Sequence, residues 1–153
     1  ALLSHELRNP LAPLRAALSV LQLSTENIGG EAQLAMAVME RQLGFQLAAD
    51  DVFINVAGGM EIDEPAADLG IIAAIASSFR NLQIPPETAV FGEVGLTGEV
   101  RGVLQAQARA REAQTLGFKK LILPESNKKG LEKLLGIRVV GVRSLEQALD
   151  ELF

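Results

Sequence analysis

Leu3, Leu7, Leu11, Leu14, Leu18 and Leu21 recur at spacings of three and four, the period of one face of an α-helix, and predict a helix over 3–23. Pro10 and Pro13 remove helix hydrogen bonds and bend it near its first turns. Ser24, Thr25, Asn27, Gly29 and Gly30 then read as a loop. A second helix is predicted over 31–43, with Leu34, Val38 and Leu43 on its apolar face and Gly44 as its stop.

Beyond Gly44 the period shortens. The β-branched run Asp51 to Ala57, ended by Gly58 and Gly59, and the short segment Met60 to Ile62 predict a pair of strands. Pro65 opens a helix over 66–79 that is apolar around most of its circumference and so is expected to be buried. Thr88 to Val94 and Glu99 to Leu104 read as strands joined by a turn at Gly95-Leu96-Thr97-Gly98. A helix over 105–116 closed by Gly117, a strand over 119–123, a helix over 127–135 and a strand over 138–142 follow. The last helix, 144–152, is opened by Ser144 with Gln147 three residues on, the pattern of a capping box. Hairpins interleaved with crossover helices imply an α+β fold with a mixed sheet and flanking helices, preceded by an N-terminal helical hairpin.

Composition narrows the chemistry. With 153 residues, 48% of them hydrophobic and 22% charged, the chain has the make-up of one folded domain with a small appendage. It holds no Cys and one His, which excludes disulfides, thiolate metal sites, cysteine nucleophiles and multi-histidine metal centres within it. No metal and no cofactor is expected. No apolar run is long enough to span a bilayer, and the first residues lack a basic stretch leading into an apolar signal core, so no membrane partner is expected and the chain reads as cytoplasmic.

The net charge of -5 conceals a strong asymmetry. Residues 44–100 hold a single basic residue, Arg80, among nine acidic ones, whereas 101–143 hold ten basic against three acidic. Such a basic segment could meet phosphates or an acidic partner.

From Gly44 to Phe153 the chain resembles the Lon-protease-like C-terminal domain of the bacterial RadA (Sms) family of DNA-repair ATPases. The residues that carry the resemblance are Asp51 to Gly59, Asp63 to Leu69, Ala76 to Arg80, Phe91 to Arg101 and Leu116 to Pro124. Active Lon-type proteases use a Ser-Lys dyad, in which a lysine takes the proton of the attacking serine. The resemblance puts Ala66 at the nucleophile position and Gln107 at that of the lysine. A methyl cannot attack and an amide is no base at neutral pH, so the resemblance implies a pseudoprotease and no catalytic residue. Ser77 and Ser78 with Arg80 are not expected to substitute, because serines in a buried helix bond their own backbone.

The same resemblance implies a hexameric ring in which this domain is an assembly and DNA-contacting platform beneath a RecA-like motor. The chain has no Gly-x-x-x-x-Gly-Lys-Ser/Thr loop, so ATP hydrolysis is not expected of it. Arg101, Arg109, Arg111, Lys119, Lys120, Lys128 and Lys129 are the candidates for pairing with DNA backbone phosphates without reading bases.

Residues 1–43 resemble something else. Leu3 to Leu14, with Ser4, His5, Glu6, Asn9 and Pro10, is similar to the phosphoacceptor box of sensor histidine kinases. The resemblance implies His5 as phosphoacceptor, Glu6 as its assisting base and Asn9 as a residue that positions the nucleotide phosphate. Ala35 to Leu43 is similar both to the second helix of that family's hairpin and to the helix that opens the RadA domain. The join between the two parts is expected within 28–44, as a natural recombination or an engineered chimera. The leading functional expectation is thus a non-catalytic assembly and DNA-contacting module that is a homo-oligomer, hexamer or dimer. The alternatives are a phosphoacceptor and dimerisation module of a two-component sensor and, third, a Lon-type serine peptidase.

Overall fold

The computed structural model describes residues 18–20, 30–46, 54–56, 64–134 and 136–153. In chain order the elements are β1 (Leu18–Val20), α1 (Gly30–Leu43), β2 (Ile54–Val56), a single 3-10 turn (Pro65–Ala67), α2 (Asp68–Arg80), β3 (Thr88–Val90), β4 (Glu93–Val94), β5 (Val100–Arg101), α3 (Ala106–Thr115), β6 (Lys120–Pro124), α4 (Glu125–Lys128), β7 (Arg138–Val142) and α5 (Leu145–Leu152).

The centre is a parallel three-stranded sheet in the order β3-β6-β7. β6 is the middle strand and reads Lys120-Leu-Ile-Leu-Pro124, a nearly unbroken apolar run, as a strand covered on both faces should. Alternation along it divides the core in two. Ile122, with Val142, faces α1, α2 and α5 in one apolar cluster that includes Leu69, Ile72, Ile75 and Leu149. Leu121 and Leu123 face the other way, onto Ala106, Ala110 and Ala113 of α3 and the rings of Phe91 and Phe118. Three alanines on one face let α3 approach the sheet closely.

Two antiparallel pairs flank this sheet: β1 with β2, and β4 with β5. The α+β class is therefore observed, but parallel and antiparallel pairings are divided among separate sheets instead of sharing one mixed sheet. The division is made at Phe91-Gly92, where the strand expected over Thr88–Val94 breaks in two. Gly92 donates its N–H to the Ala66 carbonyl at 2.9 Å and accepts from Leu69 N–H at 3.0 Å, so its peptide groups are taken by the start of α2. A Cβ at Gly92 would stand 3.1 Å from Val100 Cγ1 and 3.3 Å from Pro124 Cγ, a packing in which only glycine sits without displacing a neighbour.

The helix expected over 3–23 does not extend through Leu18–Val20, which is a strand with Leu18 opposite Val56 and Val20 opposite Ile54. The leucine spacing that suggested a helix also fits the alternation Leu18-Ser19-Val20, and long-range pairing decides between two locally acceptable periods. The remainder of that prediction lies outside the described residues. The second helix is observed over Gly30–Leu43, and Gly44 ends it at φ +67. The strand expected over Glu99–Leu104 contracts to Val100–Arg101, because Val103 pairs with a side chain instead of a strand: Asn127 Oδ1 accepts its N–H at 2.8 Å and Asn127 Nδ2 donates to its carbonyl at 3.2 Å. That pairing uses Asn127 at the start of the helix expected over 127–135; the observed helix is the single turn Glu125–Lys128, and Gly130 at φ +86 turns the chain away.

α5 begins as its sequence indicates. Ser144 Oγ accepts the Gln147 N–H at 3.2 Å, and Gln147 Oε1 reaches back one residue further than a standard capping box, to the Arg143 N–H at 2.9 Å.

Candidate functional site

Ala66 and Gln107, the two positions that the resemblance matches to a Lon dyad, stand on elements linked by the Glu64–Arg109 pair. Glu64, Pro65, Ala66, Ala67 and Asp68 form the entry to α2. Pro65 fixes φ at the first position of the 3-10 turn, whose backbone closes through Ala67 N–H to the Glu64 carbonyl at 2.9 Å. Ala66 is buried at 4% exposure, its carbonyl held by Gly92. Asp68, the first residue of α2, is buried as well, and its Oδ2 accepts the Val94 N–H at 3.1 Å. A carboxylate in the first turn is favourable for the helix dipole, and here it also fastens α2 to the β4–β5 hairpin.

Gln107 lies on α3 with an exposed side chain. Two residues on, Arg109 turns inward: its guanidinium pairs with Glu64 through Nη2 and donates from Nε to the Leu104 carbonyl at 3.2 Å. Its side chain is 15% exposed, against 52% for Glu64, and burial holds its pKa below the ordinary arginine value. The structure thus joins the segment bearing Ala66 to the helix bearing Gln107 through Glu64 and Arg109. Chemically the pair of positions offers a methyl and an exposed amide. Neither supplies a nucleophile or a base.

Ser77 Oγ donates to the Leu82 carbonyl at the end of α2, where Asn81 adopts a left-handed conformation at φ 52. This bond runs forward, past the end of α2 at Arg80, and not to the preceding turn as the side chain of a helical serine usually does.

The seven candidate DNA contacts do not share one face. Arg101 lies on β5, opposite Glu93, with its side chain bound to Glu93 Oε1 at 3.3 Å and to Glu99. Thr97, whose N–H and hydroxyl both donate to Glu99, acts first, and with Arg101 it holds the Glu99 carboxyl down at about 2 from an ordinary 4.5; the same partner raises Arg101. A turn built this way needs Gly95, since a Cβ there would collide with the Glu99 carboxylate. Lys119 and Lys120 stand at the N-terminal end of β6. Lys120 Nζ pairs with Glu151 Oε2 at 2.9 Å, which holds the Glu151 carboxyl below its usual range, and Arg138 approaches the same oxygen at 3.8 Å.

Lys128 and Lys129 stand beyond the other end of β6, at the close of α4, with Lys129 exposed. Arg111 is exposed on α3. Arg109 is mostly covered and committed to Glu64. Of the seven, Arg111, Lys119, Lys128 and Lys129 form no salt bridge among the described residues, though Lys128 interacts electrostatically with Glu132, while Arg101, Arg109 and Lys120 are paired with carboxylates.

His5, Glu6 and Asn9 lie outside the described residues. Among the described residues no three of His, Cys, Asp and Glu gather where they could hold a metal ion, and no helix is long and apolar enough to cross a membrane. Sequence reasoning missed the Glu64–Arg109 pair and the Asn127 clamp, both of which join residues far apart in the chain. For Asp68 a signal existed, a charged residue opening an otherwise apolar helix.

Comparison with known proteins places these features in context. The sequence model of the Lon protease (S16) C-terminal proteolytic domain matches residues 18–150; the phosphoacceptor-like box at 3–14 precedes that range. The chain is similar to proteins named DNA repair protein RadA: 49% identical over 117 residues to that of Halalkalibacterium halodurans, 48% over 116 residues to that of Bacillus subtilis, and 47% over 120 residues to that of Pseudomonas aeruginosa. These alignments cover 76%, 76% and 78% of this chain but only 26%, 25% and 26% of those proteins. The chain therefore spans about a quarter of the length of the relatives it matches.

Proposed function

The chain belongs to the Lon protease (S16) C-terminal proteolytic domain family, and on that premise we propose that it is a non-catalytic, self-associating module of a RadA-like DNA-repair protein that touches DNA through backbone phosphates. Such a partner places it in the cytoplasm. The observation that carries the non-catalytic part is Ala66: the residue matching the nucleophile position is a methyl, buried, with its peptide group fixed by Gly92. The partner position, Gln107, is an exposed amide.

DNA contact is supported by Lys128 and Lys129, which form no salt bridge among the described residues, at one end of the sheet, with Arg111 and Lys119 elsewhere on the surface. The division of basic residues between the two ends of β6 favours a small footprint over a continuous track, and contacts with phosphates alone are weak and salt-sensitive. Similarity to DNA repair proteins agrees with this reading.

Two assays test it. Incubation with a fluorescently quenched unfolded protein substrate is expected to give no turnover; turnover abolished by Ser77→Ala or Ser78→Ala would instead support a peptidase. Anisotropy of a labelled oligonucleotide at low salt is expected to rise with protein and to rise less with Lys128→Glu combined with Lys129→Glu. Equal binding by that double variant would refute the assignment of these two lysines.

A further inference from the structure

β7 is one edge of the parallel sheet. Arg138 donates its N–H to the Lys119 carbonyl at 2.7 Å, and it lies opposite Lys120 in a register that runs to Val142 opposite Pro124. This register turns the peptide groups of Arg138, Val140 and Val142 towards β6 and those of Val139 and Gly141 away from the sheet. Among the described residues no backbone group pairs with the outward N–H and C=O of Val139 and Gly141. The open edge ends at Arg143, whose N–H is taken by Gln147 and whose carbonyl accepts the Val100 N–H at 2.9 Å.

A groove of about 440 Å³ follows this edge. Glu125 of α4 forms one wall, and Asp150 and Glu151 of α5 form the other. Gly141 lies between them, and a Cβ there would collide with the Glu125 carboxylate and with the stem of Lys128. Glu151 is shared with Lys120 and Arg138, but Glu125 and Asp150 have no ion-pair partner among the described residues. Arg143 lines the groove, and the Lys128 side chain lies against Gly141 from the Glu125 side.

We infer that the β7 edge takes an extended segment of a partner protein as an added strand, one that carries Lys or Arg on both of its faces. Four unpaired peptide groups are what an added strand satisfies, and strand addition draws its affinity from such main-chain bonds and its specificity from alternate side chains. Successive residues of the incoming strand point to opposite faces, one towards Glu125 and the next towards Asp150 and Glu151, so adjacent basic residues meet both walls. Charge also selects among occupants. Pairing with the β7 of a second copy would set like carboxylates against each other, and a nucleic acid would bring phosphates to an acidic wall. The inference therefore stands apart from the DNA-contact reading.

The test titrates the 153-residue chain into a fluorescein-labelled peptide, Thr-Val-Lys-Lys-Val-Thr-Val, and follows anisotropy. Saturable one-to-one binding is expected. A peptide of the same sequence N-methylated at its central amides keeps its charge but cannot form the ladder, and its affinity is expected to fall at least about tenfold. Replacing both peptide lysines by Glu, or Asp150→Lys in the protein, an exposed position on α5, should weaken binding by a comparable factor. Absence of saturable binding overturns the proposal, and so does equal affinity of the N-methylated peptide, which would reduce the contact to charge alone.

Discussion

Arg109 of α3 pairs with Glu64 at the entry to α2, so the segment that bears Ala66 and the helix that bears Gln107, the two positions proposed to match a Lon dyad, are joined by an ion pair. The first of these elements carries Ala66, a buried methyl, and the second carries Gln107, an exposed amide.

This pairing has unequal ends. Arg109→Ala removes a largely buried guanidinium together with its bond to the Leu104 carbonyl, and is expected to lower stability by about 1–3 kcal/mol. Glu64 is half exposed, so Glu64→Ala should cost less than about 1 kcal/mol. Urea denaturation of the two variants measures the difference; equal effects would place the pair in solvent.

Restoring one half of the dyad restores nothing. Ala66→Ser puts a hydroxyl into a buried site, at a cost of about 1–3 kcal/mol if it finds no hydrogen-bond partner, and with an amide at 107 it has no base. The variant is expected to unfold at a lower temperature than the parent and to show no burst of acyl-enzyme formation with an activated ester. An observed burst would assign a base that the structure does not indicate.

Glu99 confers an acid limb on the stability of the β4–β5 hairpin. Its carboxyl is held at about 2 in the folded chain against an ordinary 4.5, so the charged form is favoured by folding. The contribution is complete above about pH 4.5 and is lost as pH falls towards about 2. Thermal unfolding across that range should fall more steeply with acid for the parent than for Glu99→Gln. Parallel curves would show that Glu99 is not held in the folded state.

The cap on α5 offers a simpler check. Ser144→Ala leaves the Gln147 N–H without its acceptor and is expected to cost about 1 kcal/mol, read as a lower denaturation midpoint. Ser144→Asp, which can accept the same bond, should recover most of it.

Much of this fold could be read from the chain because its local signals and its tertiary contacts agree. Gly44 and Gly117 stop helices where left-handed conformations are found, Ser144 caps α5, and the apolar run of β6 announces a strand buried on both faces. The misreadings occurred where a distant partner decided the conformation. Leu18–Val20 follows β2 instead of the leucine period, Gly92 is claimed by Ala66 and Leu69, and Val103 is claimed by Asn127; no local pattern records any of these. The candidate site divides the same way. Ala66 and Gln107 follow from a resemblance to Lon-type domains, but that Arg109 and Arg101 are consumed by Glu64, Glu93 and Glu99 depends on which carboxylates the fold brings alongside, and charge counted along the chain cannot supply that.

The most direct test of a non-catalytic DNA-contacting module is the salt dependence of its binding to a labelled single-stranded oligonucleotide. With two or three phosphates neutralised around Lys128 and Lys129, the logarithm of the association constant should fall linearly with the logarithm of salt concentration with a slope of about -1.4 to -2. The slope should shrink in the variant Lys128→Glu with Lys129→Glu and stay unchanged in Arg109→Ala, whose guanidinium is already spent. No binding at low salt, or binding indifferent to salt, would contradict the account.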